Sequence, residues 1–146
     1  RAVRDRVTRL GIALGATRVV AHRTEAVAAA IRDSRAGMVL ILTGSATSDI
    51  DDVVPAGLRA AGGEVIRFGM PGDAGNLLVL GRQGGRPVIG LPGCARSPAL
   101  NGADWVLERL ACGVAVSAED IAAMGVGGLL KEIPTRPQPR DRARPA

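Results

Sequence analysis

Three aspartates within four residues, Asp49, Asp51 and Asp52, follow the small-residue run Thr43-Gly44-Ser45-Ala46-Thr47-Ser48. Carboxylates in such a loop could hold a divalent cation, most simply Mg2+, that bridges to a phosphate or another oxyanion. A second reading of Asp52 is an ordinary helix cap, a role Asp fills well anywhere. Further on, Gly93, Arg96 and Ser97 form a different kind of set. Gly93 lets backbone approach an anion, Arg96 offers a planar fork that pairs with phosphate, and Ser97 can donate a hydroxyl bond at a helix start. Their plainer readings are a solvated charge for Arg96 and a simple N-cap for Ser97.

These loops need strands to hold them. Residues 38–42 are a continuous apolar run with the length of a buried parallel strand, and they lead directly into the first loop. Pro55 then opens a short helix that Gly62-Gly63 closes. Residues 64–68 read as a strand, residues 69–76 as a loop rich in Gly, and residues 76–82 and 86–91 as a hairpin joined across Gln83-Gly84-Gly85. The last of these strands runs into the second loop, and a helix follows through Ala111 with Trp105, Leu107 and Leu110 on its apolar side. In an open parallel sheet, ligands sit beyond the carboxyl ends of the strands, where both loops fall. Before the first loop the pattern gives a helix over residues 2–14 with Val3, Val7, Leu10 and Leu14 on one stripe. A short strand over residues 17–22 and a helix over residues 24–34 follow, with Thr24 as cap and Val27, Ala30 and Ile31 inward. Strand, helix and the strand at residues 38–42 would make a right-handed crossover. Residues 117–120, Ser-Ala-Glu-Asp, form a capping box for one more short helix ended by Gly125. The expected architecture is a three-layer α/β/α sandwich around a mostly parallel mixed sheet.

Residues 43–55, from Thr-Gly-Ser to Asp-Asp-Val-Val-Pro, resemble the TGG-to-DVTP signature of the molybdopterin-binding domain of molybdenum cofactor biosynthesis. Residues 69–81 and residues 85–98 are similar to later segments of that domain, with Gly90-Leu91-Pro92-Gly93 matching its GLPG loop. The stretch to Arg140 looks most like bacterial proteins in which this domain precedes a cofactor nucleotidyltransferase. The resemblance implies that Thr43, Gly44, Ser45 and Thr47 line the first ligand loop, and that Gly93, Arg96 and Ser97 line another. It makes Asp52, helped by Asp51, the catalytic acid, and Asp49 with Asp52 the Mg2+ ligands. It also makes Asp73 and Asn76 contacts of the pterin ring, although turn chemistry explains both residues equally well. Ser45 and Thr47 replace glycines of the family pattern, which loosens the expected backbone approach to phosphate. Cys94 stands where family enzymes commonly carry Asn or Ser. It reads as a small loop residue, with contact to the dithiolene or molybdenum as a lesser alternative.

The implied ligand is molybdopterin or the molybdenum cofactor, bound through pterin and phosphate and presented to a nucleotidyltransferase domain; the family also associates as oligomers. Two alternatives belong to other classes: a divalent-metal pyrophosphatase acting on an ADP-ribose-type nucleotide, and a non-catalytic oligomerisation module. The net charge of +5 does not argue for nucleic acid, because 18 of the 19 basic residues are Arg, which fits a coding bias, and residues 36–130 are acidic on balance. Neither a disulfide framework nor a zinc set can be built from Cys94 and Cys112, and no apolar run is long enough to span a membrane. A cytoplasmic protein is expected. His22, the lone histidine, reads as a surface residue. Residues 1–133 are expected to form the domain and residues 134–146, rich in Pro and Arg, a linker, within what reads as a piece of a longer chain.

Overall fold

A computed structural model describes residues 1–125; the expected linker at residues 134–146 lies outside the described residues. Four strands make one sheet: β1 (Val39–Leu42), β2 (Glu64–Phe68), β3 (Val79–Gln83) and β4 (Arg86–Leu91), in the order β1-β4-β3-β2. β1 pairs with β4 in parallel, while β3 is antiparallel to both β4 and β2. Three strands therefore point one way and β3 alone runs back. The β3–β4 hairpin turns on Gly84 and Gly85, whose φ values of 56° and 82° are what a two-residue primed turn demands at both positions.

Alternation along the strands sends side chains to two helical layers. Val39, Ile41, Val65 and Val88 meet Val27, Ala28, Ile31 and Leu58 of α2 (Thr24–Asp33) and α3 (Val53–Ala60). On the opposite face Leu40, Ile66, Leu80 and Ile89 meet α1 (Ala2–Arg9), α4 (Gly102–Ala111) and α5 (Ala118–Ala122) through Val3, Val106, Leu107 and Ile121. The three layers are those the patterning implies. Each fully buried Leu or Ile, such as Leu58 and Ile89 at 0% exposure, contributes about 1.5–3 kcal/mol through the area it removes from water. Gly81 and Gly90 let α3 lie close: a Cβ on Gly90 would stand 2.8 Å from a Val54 methyl.

Several expectations change. Residues 17–22 form no strand; they are exposed, with Val19 at 99%, and the crossover to β1 does not form. Only Val19 and Val20 of the six are large and apolar, too little buried surface to offset the ordering of a separate strand. β1 is consequently an edge strand and only half buried, not a central one. The first helix stops at Arg9, followed by Gly11 at φ 69°, which leaves Leu14 outside it and exposed. Arg23, not Thr24, stands at the N-cap of α2, and Ala28 is buried where Ala30 is only half buried. The last turn of α2 is satisfied from a distance: Arg86 donates to the carbonyls of Ile31, Ser34 and Ala36. None of the described helices is long and apolar enough to cross a membrane.

Candidate functional site

Because β1, β4 and β2 share a direction, the loops that follow them open on the same edge of the sheet. Ile41, Gly90, Val79 and Phe68 form one row of partners across the sheet near that edge. Beyond it lie residues 43–52 after β1, residues 69–78 after β2 and residues 92–101 after β4. Every residue singled out for ligand or acid chemistry belongs to one of these three loops.

The loops are tied to one another. Arg96 donates from Nη2 to the Thr43 carbonyl, joining the loops of β1 and β4. The Gly102 N–H donates to the Ala74 carbonyl at 2.8 Å, joining the loops of β2 and β4. Gly44 has open space where a side chain would stand, so its backbone is approachable. Ser45, Asp73, Asn76, Arg96 and Ser97 are exposed, while Gly93 is half buried. Thr43 is half buried and its hydroxyl donates to the Ser45 carbonyl. Thr47 is turned inward at 6% exposure, away from any surface ligand.

The three acids are engaged within their own loop. One Asp52 carboxylate oxygen accepts from the Ser48 N–H at 2.7 Å, the Asp49 N–H at 3.0 Å and the Ser48 hydroxyl at 3.4 Å. Asp52 stands at the N-cap of α3 without bonding the helix, so it fastens the loop in place of capping. Asp49 accepts from the Asp51 N–H, and the Asp51 carboxylate is paired with Arg59 at 2.7 Å. No group of three His, Cys, Asp or Glu side chains that could hold a metal ion occurs among the described residues. One oxygen of each acid is engaged by N–H, O–H or guanidinium donors, and the three carboxylates are held apart by separate partners rather than gathered on one point.

The backbone N–H bonds from Ser48 and then Asp49 hold the Asp52 carboxyl below the ordinary range, with a lesser pull from His22. The depressed value belongs to the folded loop, so the order that Asp52 provides is present above the ordinary carboxylate range and is lost as pH falls through its lowered folded value. A carboxyl-carbon NMR titration is expected to give Asp52 a midpoint below about 3.9, with the Ser48 and Asp49 amide resonances moving in step. A midpoint at or above that value would remove the fastening role.

The β4 loop differs from expectation at the helix start. Gly93–Arg96 is a single 3-10 turn, and α4 begins at Gly102, so Ser97 is not at a helix N-terminus. Its Oγ instead accepts from the Ala99 N–H. The helix is capped by Asn101, which accepts from Ala103 N–H, while Asp104 accepts from Asn101 N–H. An Asn followed three residues later by an acid is the legible sign of this box. Burial pushes the Cys94 thiol up, so it stays protonated and behaves as a half-buried loop residue. Arg6 had no sequence signal at all among eight Arg in the first 35 residues. It is 4% exposed and donates to Asp104 at 2.5 Å, Ala95 O at 2.9 Å and Ala99 O at 2.7 Å, anchoring the connector that carries Arg96 and Ser97.

An α/β domain that gathers three small-residue loops at the carboxyl edge of its strands has them where open sheets of this kind take their ligands. A family model described as "probable molybdopterin binding domain" matches residues 1–111, from α1 to the last residue of α4, and encloses all three loops. The chain belongs to the molybdopterin-binding domain family of molybdenum cofactor biosynthesis. No curated protein and no solved structure gives a significant match to it.

Proposed function

We propose that this domain binds molybdopterin, or its molybdenum-loaded form, across the carboxyl edge and presents it to a nucleotidyltransferase without itself performing the transfer. The observation that carries this reading is the convergence of the three loops, with Arg96 bridging the first and last of them. Arg96 is exposed and its guanidinium has donors to spare for a phosphate, beside the approachable backbone of Gly44 and over Gly93, where a Cβ would stand 3.6 Å from Arg96 Nη1. Ser45 and Ser97 add hydroxyls at the same edge. Asp73 and Asn76, both exposed on the middle loop, suit the donor and acceptor edge of a pterin ring. A presenting role agrees with the state of the acids: Asp51 pairs with Arg59 and Asp52 fastens the loop backbone.

Equilibrium binding of molybdopterin to the wild type, Arg96→Ala and Asp52→Asn proteins tests this. Arg96→Ala is expected to weaken binding by about 1.5–3 kcal/mol, roughly ten- to 150-fold, as loss of a hydrogen bond to a charged group does. Asp52→Asn should keep most of the affinity, because the amide oxygen still accepts the Ser48 and Asp49 bonds. Wild-type protein that fails to bind, or equal binding by Arg96→Ala, would defeat the proposal. Binding that collapses with Asp52→Asn would return that acid to a direct role.

A further inference from the structure

Arg6 and Arg9 stand one turn apart on α1, and Asp104 and Glu108 one turn apart on α4, so each pair shares a face of its helix. At one turn the opposite charges meet: Arg6 donates to Asp104 at 2.5 Å, with both side chains buried. One turn further along both helices the same two charges recur without meeting. Among the described residues neither Arg9 nor Glu108 belongs to any ion pair, and both are exposed. Both line a cavity of about 260 Å³, together with the buried Arg6–Asp104 pair and an apolar wall of Leu10, Pro98 and Leu100. Leu100 is 58% exposed, so a large apolar side chain is held against this cavity and not in the core.

We infer that this cavity is a binding site for a small zwitterion with an apolar body, an α-amino acid of about the size of leucine. Charge selects that class. Arg9 offers a planar, permanently charged fork for a carboxylate, and Glu108 an acceptor for an ammonium group. Arg6 and Asp104 neutralise each other and favour neither sign. A ligand of one sign alone would be attracted by one wall and repelled by the other, whereas a zwitterion completes the open pair from within. Size agrees with this choice. At about 30 Å³ for each water, the space corresponds to roughly nine waters, below the roughly 300–1,000 Å³ of sites for drug-sized ligands. The apolar body lies against Leu10, Pro98 and Leu100, where contact removes hydrocarbon from water. Pro98 and Leu100 belong to the connector that also carries Arg96 and Ser97, so the site adjoins the cofactor edge. It uses none of the residues assigned to that edge, so the two sites stand or fall separately.

The test is an amide NMR titration of the full chain with L-leucine, with N-acetyl-L-leucine, which lacks the ammonium group, and with L-leucinamide, which lacks the carboxylate. L-Leucine is expected to move the Leu10, Leu100 and Glu108 amides saturably, with a Kd of about 1 mM or tighter. Each derivative should bind about tenfold more weakly, as loss of one charge-assisted bond requires. In Glu108→Gln the advantage of leucine over N-acetyl-leucine should vanish, and in Arg9→Gln its advantage over leucinamide. Both substitutions fall on exposed side chains outside the core, so the variants keep the fold. Absence of saturable shifts with L-leucine overturns the inference, as do shifts confined to residues away from the cavity. Equal binding of all three compounds would show an apolar contact without charge recognition and overturn it as well.

Discussion

Replacing Arg6 with alanine is expected to destabilise the fold by about 3–5 kcal/mol, the loss that follows when one partner of a buried ion pair is removed and the other charge is left without compensation. Arg6 and Asp104 have side-chain exposures of 4% and 8%, and the guanidinium also satisfies the Ala95 and Ala99 carbonyls. Asp104 would keep only its bond from the Asn101 N–H. Arg1→Ala, at the N-cap position of the same helix, is the matched control. Its pair with Asp5 spans 3.9 Å with Arg1 96% exposed, and its loss should move stability by less than about 0.5 kcal/mol. Urea unfolding of the two variants measures the contrast. An Arg6→Ala protein within about 1 kcal/mol of wild type would show that the buried pair does not hold α1 to the β4 loop. The effect should reach the ligand edge, because residues 95–99 lose their anchor while carrying Arg96 and Ser97.

The second large effect is expected from Gly81→Ala. A methyl group there would stand inside van der Waals contact of both a Leu58 methyl and the Glu64 carbonyl. Leu58 is fully buried and cannot swing aside freely, and the carbonyl belongs to the paired strand β2. The expected loss lies at the upper end of the roughly 1–3 kcal/mol typical of overpacking, since β2 and α3 must both retreat. Gly84→Ala, in the hairpin turn with open space around it, separates steric from conformational causes: its penalty is the strain of φ 56° alone. A Gly81→Ala midpoint in urea equal to that of wild type would contradict the close α3 packing.

Much of this architecture was legible because its signals are local. The five-residue strand at β2, the Gly-Gly hairpin, the loop after residue 69 and the capping box at Ser117 follow from composition within a few residues, and each stands where expected. The candidate site was legible as loops but not as bonds. Nothing local tells that Asp51 is taken by Arg59, that Thr47 turns inward or that Arg96 reaches Thr43, since those facts depend on partners brought together by the fold. Two of the misreadings have plain physical sources. Residues 17–22 carry strand-forming residues without a surface to bury them on, and Ser97-Pro98 resembles a helix start although Asn101 supplies the stronger cap. Arg6 was invisible because a buried arginine is distinguished from a surface one only by an acid almost a hundred positions away.

The strand pairings also differ in how much chain each must close. β2, β3 and β4 follow one another along the chain as a meander, whereas β1 meets β4 across roughly fifty residues. Closing the longer loop costs more chain entropy, so the meander can organise before β1 is captured. The bond from Arg96 to Thr43 lies across that long-range boundary. A ligand held by both loops would therefore tie together the two strands whose pairing closes the longest stretch of chain in the sheet.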